Sequence, residues 1–404
     1  MTPDTGRIRE LADSLSSQLV SWRRHLHMHP ELSTQEQGTS AFIQKILSEY
    51  GIAYTAGIAD TGVVGIVRGN LSGEACIALR ADMDALPILE ANDVPYRSQN
   101  SGVMHACGHD AHTTSLLGTA IILQENREHF AGSVKLIFQP SEEKYPGGAI
   151  RMIQEGVLEN PRPSYIFGQH VLPTLNAGMA GFRPGRAMAS TDEIHLTVIG
   201  KGGHGATPEL TIDPVSIAAQ IIVSLQQLVS RMASPVMPTV LTFGRVIADG
   251  QTNIIPDSVE MHGILRTFDE SWRVEARQKI TTIAQGIASA FGARCEVFID
   301  PGYPYLVNDE SLTRNAIKWA KEYLGEEYVT EIPQRMTAED FAYFSHAIPS
   351  CFYRLGIRNE EKGIVSNLHT PTFDIDEDAL TSGTGLMAYL ALKALENLSG
   401  NSPG

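Results

Sequence analysis

At 404 residues the chain is too long for one ordinary core and, at roughly 100 to 200 residues per domain, implies two or three domains. Its 43% apolar and 19% charged residues are those of a folded globular protein, which excludes disordered and collagen-like classes. Thirty-one basic against 46 acidic side chains give a formal charge of -15, which opposes binding along a phosphate backbone, so no nucleic-acid partner is expected.

Every long apolar run is interrupted by charges, glycine or proline before the roughly 20 residues of a membrane-spanning helix, so no membrane span is expected. Residues 1–25 alternate charged and apolar positions without a hydrophobic leader core, and the expected address is cytoplasmic. Cys76, Cys107, Cys295 and Cys351 are too scattered for a disulfide scaffold; reduced thiols fit them better.

Helical spacing of apolar residues predicts an amphipathic helix from Ile8 to Trp22 and a second from about Thr39 to Tyr50. GVVGIVRG and EACIALRAD read as strands joined by a glycine-containing turn, the second ending near Asp82. A helix is expected from about Asp110. SVKLIFQ then reads as a strand that delivers two carboxylates at its end, and SYIFGQH as another ending at His170. Helices alternating with buried strands make an α/β core, with an α+β core as the alternative. From about Thr191 the order becomes β-α-β-β-α-β, the split pattern of a ferredoxin-like domain. The expected organisation is therefore a catalytic domain in two parts, 1–190 and 301–404, interrupted by an inserted α+β domain over 191–300.

Chemistry concentrates in a few places. Met104 to His112 places a thiol, imidazoles and a carboxylate within nine residues before a helix. Sulfur, nitrogen and oxygen donors of this kind suit zinc, while a more oxygen-rich shell favours manganese. Glu142 and Glu143 follow a strand, where one can ligate while the other accepts a proton; in isolation the pair would be a solvated turn. His170 and His369 offer further nitrogen ligands. Asp82 and Asp84 flank Met83, and Asp84 is assigned to orienting a ligating histidine through its other ring nitrogen. His25 to Pro30, HLHMHP, is assigned to capping, packing or surface chemistry. No Walker or dinucleotide signature is present.

LRADMDALPI, MHACGHDAHTTSLLGTA, FQPSEE, GQH, GKGGHGATPE, NIIPD, RMTAEDF and NLHTP occur in this order, and with them nearly the whole chain resembles the M20 metallopeptidase family. The likeness is to its amidohydrolase branch of aminoacylases, hippurate hydrolases and indoleacetyl-amino-acid hydrolases. The resemblance implies a metallopeptidase-like catalytic domain, and a dimerisation or lid role for the inserted ferredoxin-like domain. It implies a centre of two divalent ions held by Cys107, His109, Glu143, His170 and His369, with Cys107 as the bridge. Manganese or zinc, with cobalt or nickel as further options, fits such a shell. Glu142 becomes the general base that takes a proton from water and passes it to the leaving amine. His204 becomes the donor to the oxyanion, reaching into the partner subunit's site in a homodimer, and Asn253 and Arg266 become the clamp on the substrate carboxylate. Asp82 departs from the wider family, which carries a histidine at that place.

The leading expectation is metal-dependent hydrolysis of N-acyl amino acids or related small amides. The alternatives are a metallo-dipeptidase or carboxypeptidase, a hydrolase with Cys107 as covalent nucleophile, and a binding protein that keeps the fold without turnover.

Overall fold

Apolar, β-branched segments bounded by turn residues form the strands Leu71–Asp82, Ala131–Gln139, Tyr165–Asn176 and Ser350–Arg358, which run parallel to one another through the middle of an eight-stranded mixed sheet. These strands are buried over most of their length, as strands covered on both faces must be. The sheet belongs to a computed structural model that describes residues 4–400. Antiparallel strands Ala53–Ile58 and Gly62–Arg68 extend one side; Ala180–Phe182 and Val329–Glu331 extend the other. The helices His109–Glu125 and Asp378–Gly400 pack on each other and on Leu71–Asp82. Their close approach depends on Gly118, where a Cβ would lie 2.6 Å from Leu19 and 2.7 Å from Thr384.

This sheet and its helices make one unit, built from the described residues up to Gly185, from Val307–Pro333 and from Asp340 onward. The unit differs from the sequence expectation at several points. The first helix is interrupted at Leu15 into Thr5–Ser14 and Ser16–Met28, and beside the interruption the Ser14 hydroxyl donates to the Leu11 carbonyl at 2.7 Å. His170 lies inside its strand: pairing with Leu71–Asp82 stops at Gly168, but pairing with Ser350–Arg358 carries the strand on to Asn176.

The second unit comprises Arg186–Leu306 and Gln334–Glu339. Its strands Asp192–Ile199, Thr239–Ile247, Ser258–Thr267 and Arg294–Pro301 and helices Pro214–Gln227 and Glu270–Ala290 follow the β-α-β-β-α-β order. All neighbouring strands are antiparallel, in the spatial order second, third, first, fourth of a ferredoxin-like sheet. Ile194, Leu196 and Val198 alternate with half-exposed residues and meet Ile217, Ile221, Ala276 and Ile280 in a core of their own. Pro214–Met232 is the single stretch among the described residues long and apolar enough to cross a membrane; Ile217, Ala218, Ile221 and Leu225 on it pack into this core.

Candidate metal centre

Cys107 and His109 are carried by the turn into the helix His109–Glu125. Gly108 between them has φ 84°, and a Cβ there would stand 2.5 Å from Val171, so glycine is required by both backbone and space. His170 comes from Tyr165–Asn176, and Glu142 and Glu143 follow Ala131–Gln139. His369 comes from a C-terminal loop whose backbone N–H donates to the Ala106 carbonyl at 2.8 Å, which ties that loop to the cysteine turn.

The donor atoms of Cys107, His109 and His170 lie within 4.8 Å of one another, and so do those of Cys107, Glu143 and His369. Cys107 Sγ is common to both sets. Its sulfur is 3.5 Å from His170 Nε2, and His170 Nδ1 donates to the Val171 carbonyl at 2.8 Å, which leaves Nε2 as the lone-pair nitrogen. His109 Nε2 and Glu143 Oε1 are buried without a hydrogen bond and lie 4.0 Å apart, with His369 Nε2 3.2 Å from the same carboxylate oxygen. Buried unpaired donor atoms that converge on one point fit a cation: a divalent metal ion satisfies nitrogen, sulfur and oxygen together.

Electrostatics agree. Burial, then Glu143 and Glu142, push the Cys107 thiol well above its ordinary range. A thiol so placed is a poor nucleophile on its own, and a nearby cation is what would ionise it. Burial disfavours a charge on His109, but Asp82, the hydrogen bond to Asp84 and Glu143 outweigh it and raise the imidazole to about 10.

Asp84 touches two of these elements. Its Oδ1 lies 3.2 Å from His109 Nδ1, while Oδ2 accepts from the Glu143 backbone N–H at 3.0 Å and from the Ser33 hydroxyl at 2.6 Å. Asp82 also comes near, with Oδ2 3.7 Å from His109 Nε2, and Asp82, His109 and His112 form another close donor set. Its oxygens are already used, however: Oδ1 accepts from His112 Nδ1 at 2.6 Å and Oδ2 from Arg80 Nη1 at 2.7 Å. His112 Nε2 accepts from the Val171 backbone N–H at 2.8 Å. This pair is thus occupied by internal hydrogen bonds. His109 Nε2 arrives from the start of the helix beside Asp82.

Glu142 is buried, and its Oε1 accepts from the Asp340 backbone N–H at 3.3 Å. It forms a close set with His109 and Glu143. His105 is buried and makes no hydrogen bond; burial brings it down to about 4 and keeps it neutral. In HLHMHP, His27 bonds Asp110 at 2.7 Å and Glu90 at 3.2 Å, and His25 stacks on Phe42, so both are engaged in packing.

His204, Asn253 and Arg266 belong to the second unit. Gly203–His204 pairs with Ile254–Ile255, and Gly205 N donates to Asn253 O at 2.8 Å, which brings His204 and Asn253 onto neighbouring exposed turns. The Ala206 N–H donates to His204 Nδ1 at 3.0 Å, so the neutral ring carries its proton on Nε2. Arg266 lies on Ser258–Thr267 with Nη1 buried and unbonded, and burial lowers its pKa against the pull of Asp192 and Glu193.

Sequence reading missed Arg80 and Gln139, which join Asp340 in a buried group: Arg80 Nη2 donates to Asp340 at 2.9 Å and Gln139 Nε2 at 2.8 Å. An arginine inside the apolar run ACIALRAD was the available signal, because a buried guanidinium requires a partner.

Residues 78–393 match peptidase family M20/M25/M40, and the chain belongs to that family. It is a metal-binding hydrolase of this class. It is 42% identical to an N-acyl-L-amino acid amidohydrolase of Geobacillus stearothermophilus over 74% of this chain and 80% of that one. To thermostable carboxypeptidase 2 of Saccharolobus solfataricus it is 40% identical, over 93% of this chain and 95% of the other. Among solved structures it resembles the Bacillus subtilis YXEP protein, described as a dinuclear metal binding peptidase from the M20 family, with a TM-score of 0.82, 37% identity and coverage of 95% and 99%.

Proposed function

We propose that this protein hydrolyses the amide bond of N-acyl amino acids, releasing a carboxylic acid and an amino acid, with two divalent ions held by Cys107, His109, Glu143, His170 and His369. The observation that carries this reading is the sharing of Cys107 Sγ by two donor sets, one with His109 and His170 and one with Glu143 and His369, beside a buried Glu142. The mixed donor set suits manganese or zinc, and also cobalt or nickel. When bound, such ions supply Lewis acidity that polarises a carbonyl and makes water more acidic.

The chain's own residues divide the remaining work. Glu142 accepts a proton from the attacking water and returns it to the departing amine nitrogen. Asp84 holds His109 by Nδ1, so that Nε2 faces the centre. His204 of the partner subunit in a homodimer donates its Nε2–H to the oxygen on which charge develops; support comes from its exposed ring and its tautomer. Arg266 and Asn253 bind the carboxylate of the amino-acid half, and the unbonded Nη1 of Arg266 is the kind of donor such an anion satisfies. The four free cysteines support a cytoplasmic address. The carboxypeptidase relative favours a second reading in which the same bond is cut but the acyl half is a peptide.

The test is a metal-controlled hydrolysis panel of acetyl-, benzoyl- and indoleacetyl-amino acids beside dipeptides, run with wild type and Glu142→Gln. That substitution should lower kcat by about 10²- to 10⁴-fold with fold and metal content retained. Metal-independent turnover that it leaves untouched would reject the mechanism, and selective turnover would separate the two readings.

A further inference from the structure

Glu142 and Glu143 are adjacent in sequence, yet they serve different partners: Glu143 faces His369, while Glu142 reaches the Asp340 backbone. The residue that precedes them, Ser141, has φ 56°, a left-handed conformation without the glycine that normally adopts it. For a residue with a Cβ this conformation is disfavoured by roughly 5- to 30-fold. Something must hold it.

Glu36 does so. This carboxylate is fully buried, at 0% exposure, and its Oε1 accepts from the Ser141 N–H at 2.9 Å and from the Ser141 hydroxyl at 3.3 Å. Its Oε2 is anchored by the Thr61 hydroxyl at 2.8 Å. The Thr34 N–H donates to Ser141 Oγ at 2.9 Å, and the Gly148 N–H to the Ser141 carbonyl at 3.0 Å. Glu36 immediately precedes the helix Gln37–Glu49 but makes no capping bond to it. Glu31 takes that role by accepting from the N–H groups of Gly38 and Thr39 at 2.9 and 2.8 Å. The Glu36 side chain is therefore committed to the carboxylate turn rather than to its own helix. Ser33, from the same segment, donates to Asp84, which in turn accepts from the Glu143 N–H.

We propose that Glu36 is a positioning residue for the hydrolytic reaction: it holds Ser141 left-handed and thereby sets the directions in which Glu142 and Glu143 leave the chain. The inference rests on the roles given above to those two glutamates. It requires that the loss of Glu36 act on turnover more than on substrate affinity, and that a residue comfortable in the left-handed region at position 141 offset the loss.

The experiment compares wild type with Glu36→Ala, Glu36→Gln, Ser141→Gly and the double variant Glu36→Ala/Ser141→Gly, measuring kcat, KM, metal content and thermal melting. Glu36→Ala should lower kcat by about 10- to 100-fold with KM within about threefold, since the interaction lost positions groups that act in the transition state. Glu36→Gln retains an oxygen for the Ser141 N–H and should recover most of that loss. Ser141→Gly should restore about fivefold or more in the Glu36→Ala background, because glycine needs no brace at positive φ. Wild-type kcat in Glu36→Ala would overturn the proposal, and so would a loss that is lessened neither by the conservative change Glu36→Gln nor by adding Ser141→Gly. If Glu36→Ala does not fold, Thr61→Val removes only the anchor on Oε2; it should lower kcat about threefold and be offset by Ser141→Gly, and no change in kcat would overturn the proposal equally. Glu142→Gln assayed in parallel separates the failures: full activity there sinks the base assignment, whereas inactivity there with a fully active Glu36→Ala sinks this inference alone.

Discussion

In the proposed centre, Cys107 and His109 each hold a proton that a bound metal ion would displace. The thiol is raised by burial and by Glu143 and Glu142; the imidazole, despite its burial, is raised to about 10 by Asp82, Asp84 and Glu143. Both groups are protonated at neutral pH in the metal-free protein, so binding releases protons and acid expels metal. Apparent affinity should rise by up to about two decades per pH unit near neutrality, measured by competition with a chromophoric chelator, and a flat profile would contradict this. At this scale the ligand candidates were legible because thiol, imidazole and carboxylate rarely cluster without a cause. Glu36 and Arg80 were not, since a buried charge's partner is fixed by tertiary packing: nothing near Glu36 in the chain points to Ser141, and nothing near Arg80 points to Asp340.

Elements deliver these side chains, and two of them do so under constraint. The turn at Gly108 combines positive φ with contact to Val171, so Gly108→Ala should pull Cys107 and His109 out of register and lower metal content below the wild-type stoichiometry, as read by elemental analysis. Retention of full metal by a folded variant would show that the turn tolerates a side chain. Arg23 on Ser16–Met28 is the second constraint: it contacts Asp110 at 3.0 Å and Asp374 at 2.7 Å, joining three separate elements around one buried guanidinium. Its removal as Arg23→Met leaves carboxylates uncompensated and should cost about 3–5 kcal/mol in denaturant unfolding. Strand and helix order was readable from periodicity, most completely in the β-α-β-β-α-β segment. The misplaced strand end at His170 has a plain cause: the sequence displays where one neighbour stops pairing, but the other neighbour, Ser350–Arg358, arrives from much later in the chain. Ala53–Ile58 escaped notice because an edge strand with exposed residues lacks the apolar alternation that identifies buried ones.

For the whole molecule, the proposed service of His204 in the partner's site has a stoichiometric signature. Inactive His204→Ala and inactive Glu142→Gln homodimers, dissociated and reassembled together, should regain about a quarter of wild-type activity, because half the dimers are mixed and one of their two sites is intact. No recovery, with mixed dimers demonstrated, would place the histidine in its own subunit's site.

The connectivity of the two units has a consequence for synthesis on the ribosome. The ferredoxin-like sheet is drawn from one continuous stretch, Asp192–Pro301, and all its strands have been synthesised before the last hundred or so residues are made. The eight-stranded sheet cannot close at that stage, because Ser350–Arg358 lies between Tyr165–Asn176 and Ala180–Phe182. His369 and the long helix Asp378–Gly400 follow later still. A nascent chain stalled just before Ser350, far enough along for Pro301 to clear the exit tunnel, should therefore carry a protease-resistant inserted domain and an open, digestible half-sheet. With His369 in the proposed ligand set, metal loading would be one of the last events in the protein's biogenesis, timed by the emergence of that histidine.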